Sequence, residues 1–284
     1  VVFRGEKEGL HTRVFLTREG LPTYEAKELA LAALKHEKYP YDLSLVVTAN
    51  DIVDYFRVLL AAERHIYPDL AAKTRHIAHG MLRLSSGKMS SRTGAVITGE
   101  SLINDSIALA REKMREDETA TETERERIAE AVGIGALKYA ILRQSIHRDI
   151  IYDAEKSFSL EGDSGPYLQY AYVRARSVLE KARQAGIDSV PKATSTTQHA
   201  PSTDRLLYQF PEVVARARAE YEPHYVTTYL IELAGAFSSF YAGHTIIDPD
   251  NPEVSGHRLA LTKATAQVLK NGLYLLGIAA PERM

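Results

Sequence analysis

Ser86-Gly87-Lys88-Met89-Ser90-Ser91-Arg92-Thr93-Gly94 is the most informative stretch of this 284-residue sequence. Glycines bracket a short run of cations and hydroxyls. Between Arg83 and Gly94 stand three cations (Arg83, Lys88 and Arg92) and no carboxylate. Glycine lets backbone N–H groups approach phosphate oxygens, hydroxyls add donors, and lysine supplies a point charge. The Gly-x-x-x-x-Gly-Lys spacing of a Walker A loop is absent. By composition alone the stretch reads as a phosphate cradle or as a polar surface hairpin.

What flanks it is more decisive. Upstream, short β-rich runs alternate with helical ones. Val1–Phe3 and Thr12–Leu16 read as strands, with Arg18-Glu19-Gly20 as a turn. Thr23 is a candidate N-cap for 24–36, where Ala26, Leu29, Ala30, Ala33 and Leu34 recur at helical spacing. Leu43–Val47, apolar and β-branched, reads as a buried parallel strand. A helix over 52–64 and strands over 75–78 and 81–84 complete an α/β pattern. Downstream the pattern is helical from Glu100 to about Tyr152, with a polar hinge near 119–123. Gly165-Pro166 sets up another helix start. Ser189–Asp204, rich in Ser, Thr and Pro, reads as a loop, followed by helices over 205–221, 224–242 and 253–277. The expected fold class is α/β followed by all-α. The expected domains are 1–105 (α/β, including the loop), 106–160 (helical connector) and 161–284 (helical bundle).

The composition fits that plan: 45% hydrophobic and 25% charged residues describe a globular chain with a core. No apolar run approaches the ~20 residues of a membrane helix. The absence of cysteine removes disulfides, iron–sulfur clusters and thiolate zinc sites, and points to the cytoplasm. The net charge of −2 gives no global attraction to nucleic acid, so binding would need local patches. One such patch is the helix after Pro166. Leu168, Ala171, Tyr172, Ala175 and Leu179 form its apolar stripe, while Tyr167, Tyr170, Arg174 and Lys181 share the other side. Aromatics beside cations suit splayed, unpaired bases. Two decoys carry little. His76-x-x-His79 would put its imidazoles on opposite faces of a strand, so no metal site is expected. His147-Arg148-Asp149 lacks the Gly-rich loop and metal-binding acids of a kinase.

Lys88-Met89-Ser90-Ser91-Arg92 closely resembles the KMSKS loop of class I aminoacyl-tRNA synthetases, with Ser91 in place of the second Lys. The surrounding Gly80-Met81-Leu82-Arg83-Leu84 and Gly94-Ala95-Val96-Ile97 resemble the arginyl members. Tyr24-Glu25-Ala26-Lys27-Glu28 is similar to their Tyr-x-x-x-Asp substrate motif, with the acid one methylene longer, a reach of about 1.5 Å. Thr48-Ala49-Asn50-Asp51-Ile52 resembles a post-strand turn where the family often carries Gln at the position of Ile52. Gly162–Arg174 resembles the start of the family's anticodon-binding domain. Leu269–Ile278, with Pro281-Glu282-Arg283-Met284, resembles its C-terminus.

The resemblance implies the second half of a Rossmann-like catalytic domain, the helical connector and an anticodon-binding bundle. It implies an arginine–tRNA ligase that makes arginyl-adenylate from arginine and ATP, the latter with Mg²⁺, and passes arginine to tRNA(Arg). No tightly bound cofactor and a monomer are expected. Lys88, Ser90, Ser91 and Arg92 would stabilise pyrophosphate, with His79, Gly80, Met81 and Lys88 around ATP. Tyr24 and Glu28 would take the arginine side chain; Tyr167, Tyr170, Arg174 and Met284 would meet the anticodon. No His-x-Gly-His stretch, the family's other ATP signature, occurs in the sequence, so a fragment unable to activate arginine alone is expected. The alternatives are a non-catalytic tRNA- or RNA-binding protein derived from a synthetase, and a helical protein-interaction scaffold.

Overall fold

A computed structural model describes residues 1–84, 98–114, 120–187 and 202–284. They form two compact units, Val1–Met81 with His147–Asp149, and Leu82–Ile146 with Ile150–Met284.

In the first unit, β1 (Val2–Phe3) and β2 (Arg13–Val14) pair antiparallel, with Val2 opposite Val14. The expected turn follows, with Gly20 at φ +80°, a conformation that favours glycine. Helix α1 (Tyr24–Lys38) begins after Thr23. That threonine does not cap it, because its hydroxyl donates to the Val14 and Phe15 carbonyls instead. Strand β3 (Ser44–Ala49) pairs in parallel with β4 (Thr74–His79), from Ser44 opposite Thr74 to Ala49 opposite His79. Parallel neighbours need a crossover, supplied by α2 (Val53–Ile66) and α3 (Pro68–Lys73). Phe56, Leu59 and Ala62 of α2 pack with Phe15 and Leu29 into one core.

Two expected faces are corrected. The inner side of α1 carries Glu25 and Leu29, whereas Ala30 and Leu34 are exposed; the ion pair of Glu25 with Arg13 turns the helix toward β2. In β3, Val46 packs on the core while Leu45 and Val47 are exposed, so the strand alternates rather than being buried on both faces.

In the second unit, β5 (Leu82–Leu84) runs parallel to β6 (Ile150–Tyr152), Leu82 opposite Ile150. The helical region expected up to Tyr152 therefore stops earlier. Ile150 and Ile151 are β-branched and find a strand partner far away in sequence. Helices α4 (Gly99–Lys113) and α5 (Glu122–Leu142) lie between the two strands. Thr121 caps α5 with a capping box to Glu124. After the short α6 (Ala154–Ser157) comes α7 (Gly165–Gln184). The Ser164 hydroxyl accepts the Tyr167 N–H at 3.1 Å, and Pro166 stands in the first turn. Helices α8 (Ser202–Glu220), α9 (His224–Gly243) and α10 (Pro252–Leu275) complete the unit. Ser202–Asp204, expected as loop, are the first residues of α8. The largest core joins Leu168 and Ala175 of α7 with Leu230, Leu233 and Phe237 of α9 and Leu259, Leu269 and Leu273 of α10.

Candidate functional site

The loop residues Lys88, Ser90, Ser91 and Arg92 lie outside the described residues. The other singled-out residues can be placed.

In the first unit, Tyr24 at the start of α1 is 80% exposed, with the Lys27 ammonium 5.7 Å from its ring centroid. Glu28, one turn on, is half-buried and makes no ion pair among the described residues. It lines a small cavity of about 20 Å³, room for one water, between α1 and α2, together with Lys35, Tyr41 and Glu63. Tyr24 does not line that cavity. Sequence reasoning missed Tyr55, on the helix that follows the Thr48–Ile52 turn. The Arg13 guanidinium sits 5.7 Å from the Tyr55 ring centroid and 3.3 Å from the Glu25 carboxylate. Burial, then the nearby carboxylates of Glu28 and Glu25, push the Tyr55 hydroxyl up to about 12, against the opposing Arg13 charge. A carboxylate beside aromatic rings is suited to a planar cation.

At the end of β4, the His79 Nδ1 lies 2.8 Å from the Gly80 carbonyl, an arrangement in which the ring N–H donates. Gly80 presses against the backbone of Arg148 and Asp149, where any Cβ would meet the Arg148 carbonyl. The Met81 N–H donates to the Asp149 carboxylate at 3.0 Å. His147-Arg148-Asp149, set aside as a decoy, thus braces the strand end. His76 is held by Thr48 Oγ1 at 2.7 Å and stacks on Phe56.

In the second unit, α7 delivers two of its predicted residues to one spot. The Arg174 guanidinium lies 4.6 Å from the Tyr170 ring centroid and 5.2 Å from that of Tyr241 on α9. Tyr170 also lines a cavity of about 290 Å³ with Met284, Pro166, Phe158, Ile128 and Met114, and with the cations Lys113, Arg125 and Arg283. Tyr170 and Met284, 114 positions apart in the chain, are therefore neighbours across one cavity. Tyr167 is turned away from it, its hydroxyl 3.5 Å from Ser238 of α9. Tyr241, Phe158 and Arg283 were missed. Tyr241 lies in the run Phe237-Ser238-Ser239-Phe240-Tyr241, whose rings read as core. Exposed rings, a stacked guanidinium and a half-apolar cavity rimmed by cations can take a flat, electron-rich ring carrying nearby negative charge.

Comparison with known proteins gives these features a context. A family model described as tRNA synthetases class I (R), catalytic domain, matches residues 2–154, and the DALR anticodon binding domain matches 168–284. An arginine–tRNA ligase from Clostridium perfringens is 34% identical over 272 residues, 95% of this chain and 48% of the relative. One from Ligilactobacillus salivarius is 34% identical over 98% of this chain and 49% of the relative. The chain thus spans about half the length of the curated relatives it matches. Among solved structures, Thermus thermophilus arginyl-tRNA synthetase superposes with a TM-score of 0.78 at 27% identity, covering 96% of this chain and 51% of that one. The Plasmodium falciparum arginyl-tRNA synthetase shares the fold with a TM-score of 0.80 at 19% identity, covering 96% and 47%.

Proposed function

From the fact that the chain belongs to the class I tRNA synthetases of the arginine group, we propose that it serves arginine–tRNA ligation. The reaction joins arginine to ATP, releases pyrophosphate and transfers the arginyl group to the 3′ end of tRNA(Arg). In this reading 1–105 is the second half of the catalytic domain, 106–160 the connector and 161–284 the anticodon-binding bundle. The protein acts as a monomer in the cytoplasm. ATP enters with Mg²⁺ as substrate, and no resident cofactor is needed.

Each group has a task set by its chemistry. Lys88, Ser90, Ser91 and Arg92 put cationic and hydroxyl donors against the pyrophosphate, where charge develops as the α-phosphate is attacked. His79, Gly80, Met81 and Lys88 border ATP, Gly80 allowing close backbone approach. Glu28 accepts the guanidinium and Tyr24 covers it. A positioned carboxylate acceptor of this kind discriminates against analogues lacking the hydrogen-bonding group. Tyr170, Arg174 and Met284 meet the anticodon, with Tyr241 as a second stacking ring, while Tyr167 backs them from its place against Ser238 of α9.

The observation that carries the reading is the Tyr170–Arg174–Tyr241 stack beside the cavity, within the segment matched by an anticodon-binding family. The test measures binding of the 284-residue chain to a tRNA bearing an arginine anticodon and to the same tRNA with that anticodon exchanged. At least a tenfold preference for the first, and an affinity that falls as salt rises, are expected, about 1.4 kcal/mol of discrimination. Equal affinities would overturn it.

Ile52 favours a second reading, a non-catalytic RNA-binding descendant: it is an exposed apolar residue in the turn after β3, where an amide would serve a polar substrate. Arginine transfer to tRNA by the whole protein separates the two, since the descendant transfers none.

A further inference from the structure

Gln169 is 0% exposed, yet polar, and its neighbour in sequence is Tyr170. Its side-chain amide donates twice, to the Ala131 carbonyl of α5 at 3.0 Å and to the Ala279 carbonyl at 2.8 Å. A buried amide N–H makes such bonds or costs stability, so the two carbonyls and Nε2 fix one another, while Oε1 finds no partner among the described residues. The glycine pattern is built around this tie. A Cβ at Gly135 would stand 2.8 Å from Gln169 Nε2, and one at Gly165 would stand 2.5 Å from the Gly135 carbonyl. Helices α5 and α7 can approach closely only without those side chains, which brings the amide within reach of α5.

The second acceptor is the telling one. Ala279 belongs to the non-helical segment after α10 that ends with Arg283 and Met284, both of which line the cavity with Tyr170. Ile278 anchors this segment in the core, and Arg283 pairs with Glu124 at 2.8 Å. Apolar burial is non-directional. It holds Ile278 in place without choosing how the following peptide is turned. The Gln169–Ala279 bond fixes one peptide of it from the residue adjacent to Tyr170, beside the Lys138 ammonium on the Gly277 carbonyl and the Arg176–Glu282 pair at 3.9 Å.

We propose that Gln169 is a positioning residue for anticodon recognition, setting Met284 against Tyr170 through the Ala279 carbonyl. The inference rests on the reading that this cavity receives an anticodon base.

The experiment is a double-mutant cycle on the full chain with Gln169→Met and Met284→Ala. Affinity is read for a tRNA with an arginine anticodon and for its anticodon-exchanged counterpart, and amide hydrogen exchange is read at Ala280, Glu282 and Arg283. Gln169→Met is expected to lower discrimination roughly fivefold, the scale of one lost hydrogen bond, and to speed exchange across that segment. In the Met284→Ala background it is expected to change discrimination no further. If Met284→Ala alone leaves discrimination intact, the anticodon reading of the cavity falls, and this inference with it. If Met284→Ala lowers discrimination but Gln169→Met does not, the reading stands and the positioning role is overturned. An equal loss in both backgrounds overturns it too, since Gln169 would then act on the fold at large. Should Gln169→Met lose cooperative unfolding, Gln169→Asn, whose amide is withdrawn by one methylene, is read by the same criteria.

Discussion

The guanidinium of Arg174 stacks 5.2 Å from the ring centroid of Tyr241, a residue on another helix, while its other contact, Tyr170, lies on its own helix. One cation thereby aligns two exposed rings. Cation–π attraction of this kind is about 0.5–1 kcal/mol at exposed sites, enough to bias ring orientation but not to hold a fold. The arrangement is better suited to receiving a base than to stabilising the bundle. Tyr241→Ala is expected to weaken tRNA binding by about 1–3 kcal/mol, one lost stacking partner. Tyr241→Phe keeps the ring and stays within about twofold, about 0.4 kcal/mol. Fluorescence anisotropy with labelled tRNA measures both; a phenylalanine variant as weak as the alanine one would mean the hydroxyl, not the ring, is used.

Gly80 yields a prediction about the first unit alone. A Cβ there would stand 2.0 Å from the Arg148 carbonyl oxygen and 2.5 Å from the Asp149 nitrogen. Neighbouring backbone cannot swing aside as a side-chain tip can. Gly80→Ala is expected to cost about 3 kcal/mol or more, seen as a lower urea midpoint. A variant within experimental error of the parent would show that the 147–149 segment does not brace this strand end.

These sites differ in how far the sequence disclosed them. The helix from Gly165 was legible because its signals are local: a proline in the first turn and apolar residues at helical spacing, to which the structure adds a Ser164 cap. Tyr170 and Arg174 were legible with it, being four residues apart on one exposed side. Tyr241 was not, because its ring is one of several on α9 and only tertiary packing separates Phe237, fully buried, from its exposed neighbour. Met284 could be assigned by resemblance only, since its place beside Tyr170 depends on the path of a non-helical segment. Strand β6 was missed for a related reason. Three residues carry little periodicity, and their partner, β5, lies far back in the sequence. The face of α1 was misjudged because the alanine spacing does not show that Glu25 pairs across to Arg13 and lies with Leu29 on the inner side.

Asp163 offers a test of hydrogen-bond asymmetry. Its carboxylate accepts the Tyr139 hydroxyl and pairs with Arg143 at 2.7 Å, just before α7 begins. Burial and the Asp163 carboxylate both push the Tyr139 hydroxyl upward in pKa, so it stays a donor throughout the working pH range. Asp163→Ala strands that buried donor and is expected to cost about 1–3 kcal/mol. Tyr139→Phe removes the donor itself and leaves Asp163 with Arg143, for a cost nearer 1 kcal/mol. Urea denaturation of the two variants gives the order directly. The reverse order would indicate that packing of the Tyr139 ring, rather than satisfaction of its hydroxyl, is the larger contribution.

Glu63 gives a pH dependence whose sign can be worked out. It is 2% exposed on α2, one carboxylate oxygen has no hydrogen-bond partner among the described residues, and it lines the small cavity with Lys35 and Glu28. Burial raises its pKa above the ordinary carboxylate range, and the Lys35 ammonium only partly opposes this. In the unfolded chain the same group titrates at about 4.3. Between those two values the folded protein keeps a proton that the unfolded chain has released. The folded state binds more protons there, so stability declines as pH rises through that window and levels off above the folded value. Below the unfolded value both states are protonated and nothing is lost. Glu63→Gln, neutral at every pH, is therefore expected to match the parent at about pH 4 and to exceed it at higher pH by a margin that grows and then levels off. Urea midpoints of the two proteins across that range provide the measurement. A constant difference would show that Glu63 titrates alike in both states. A margin that shrinks with rising pH would mean that the carboxylate is stabilised in the folded protein, with the Lys35 charge outweighing burial.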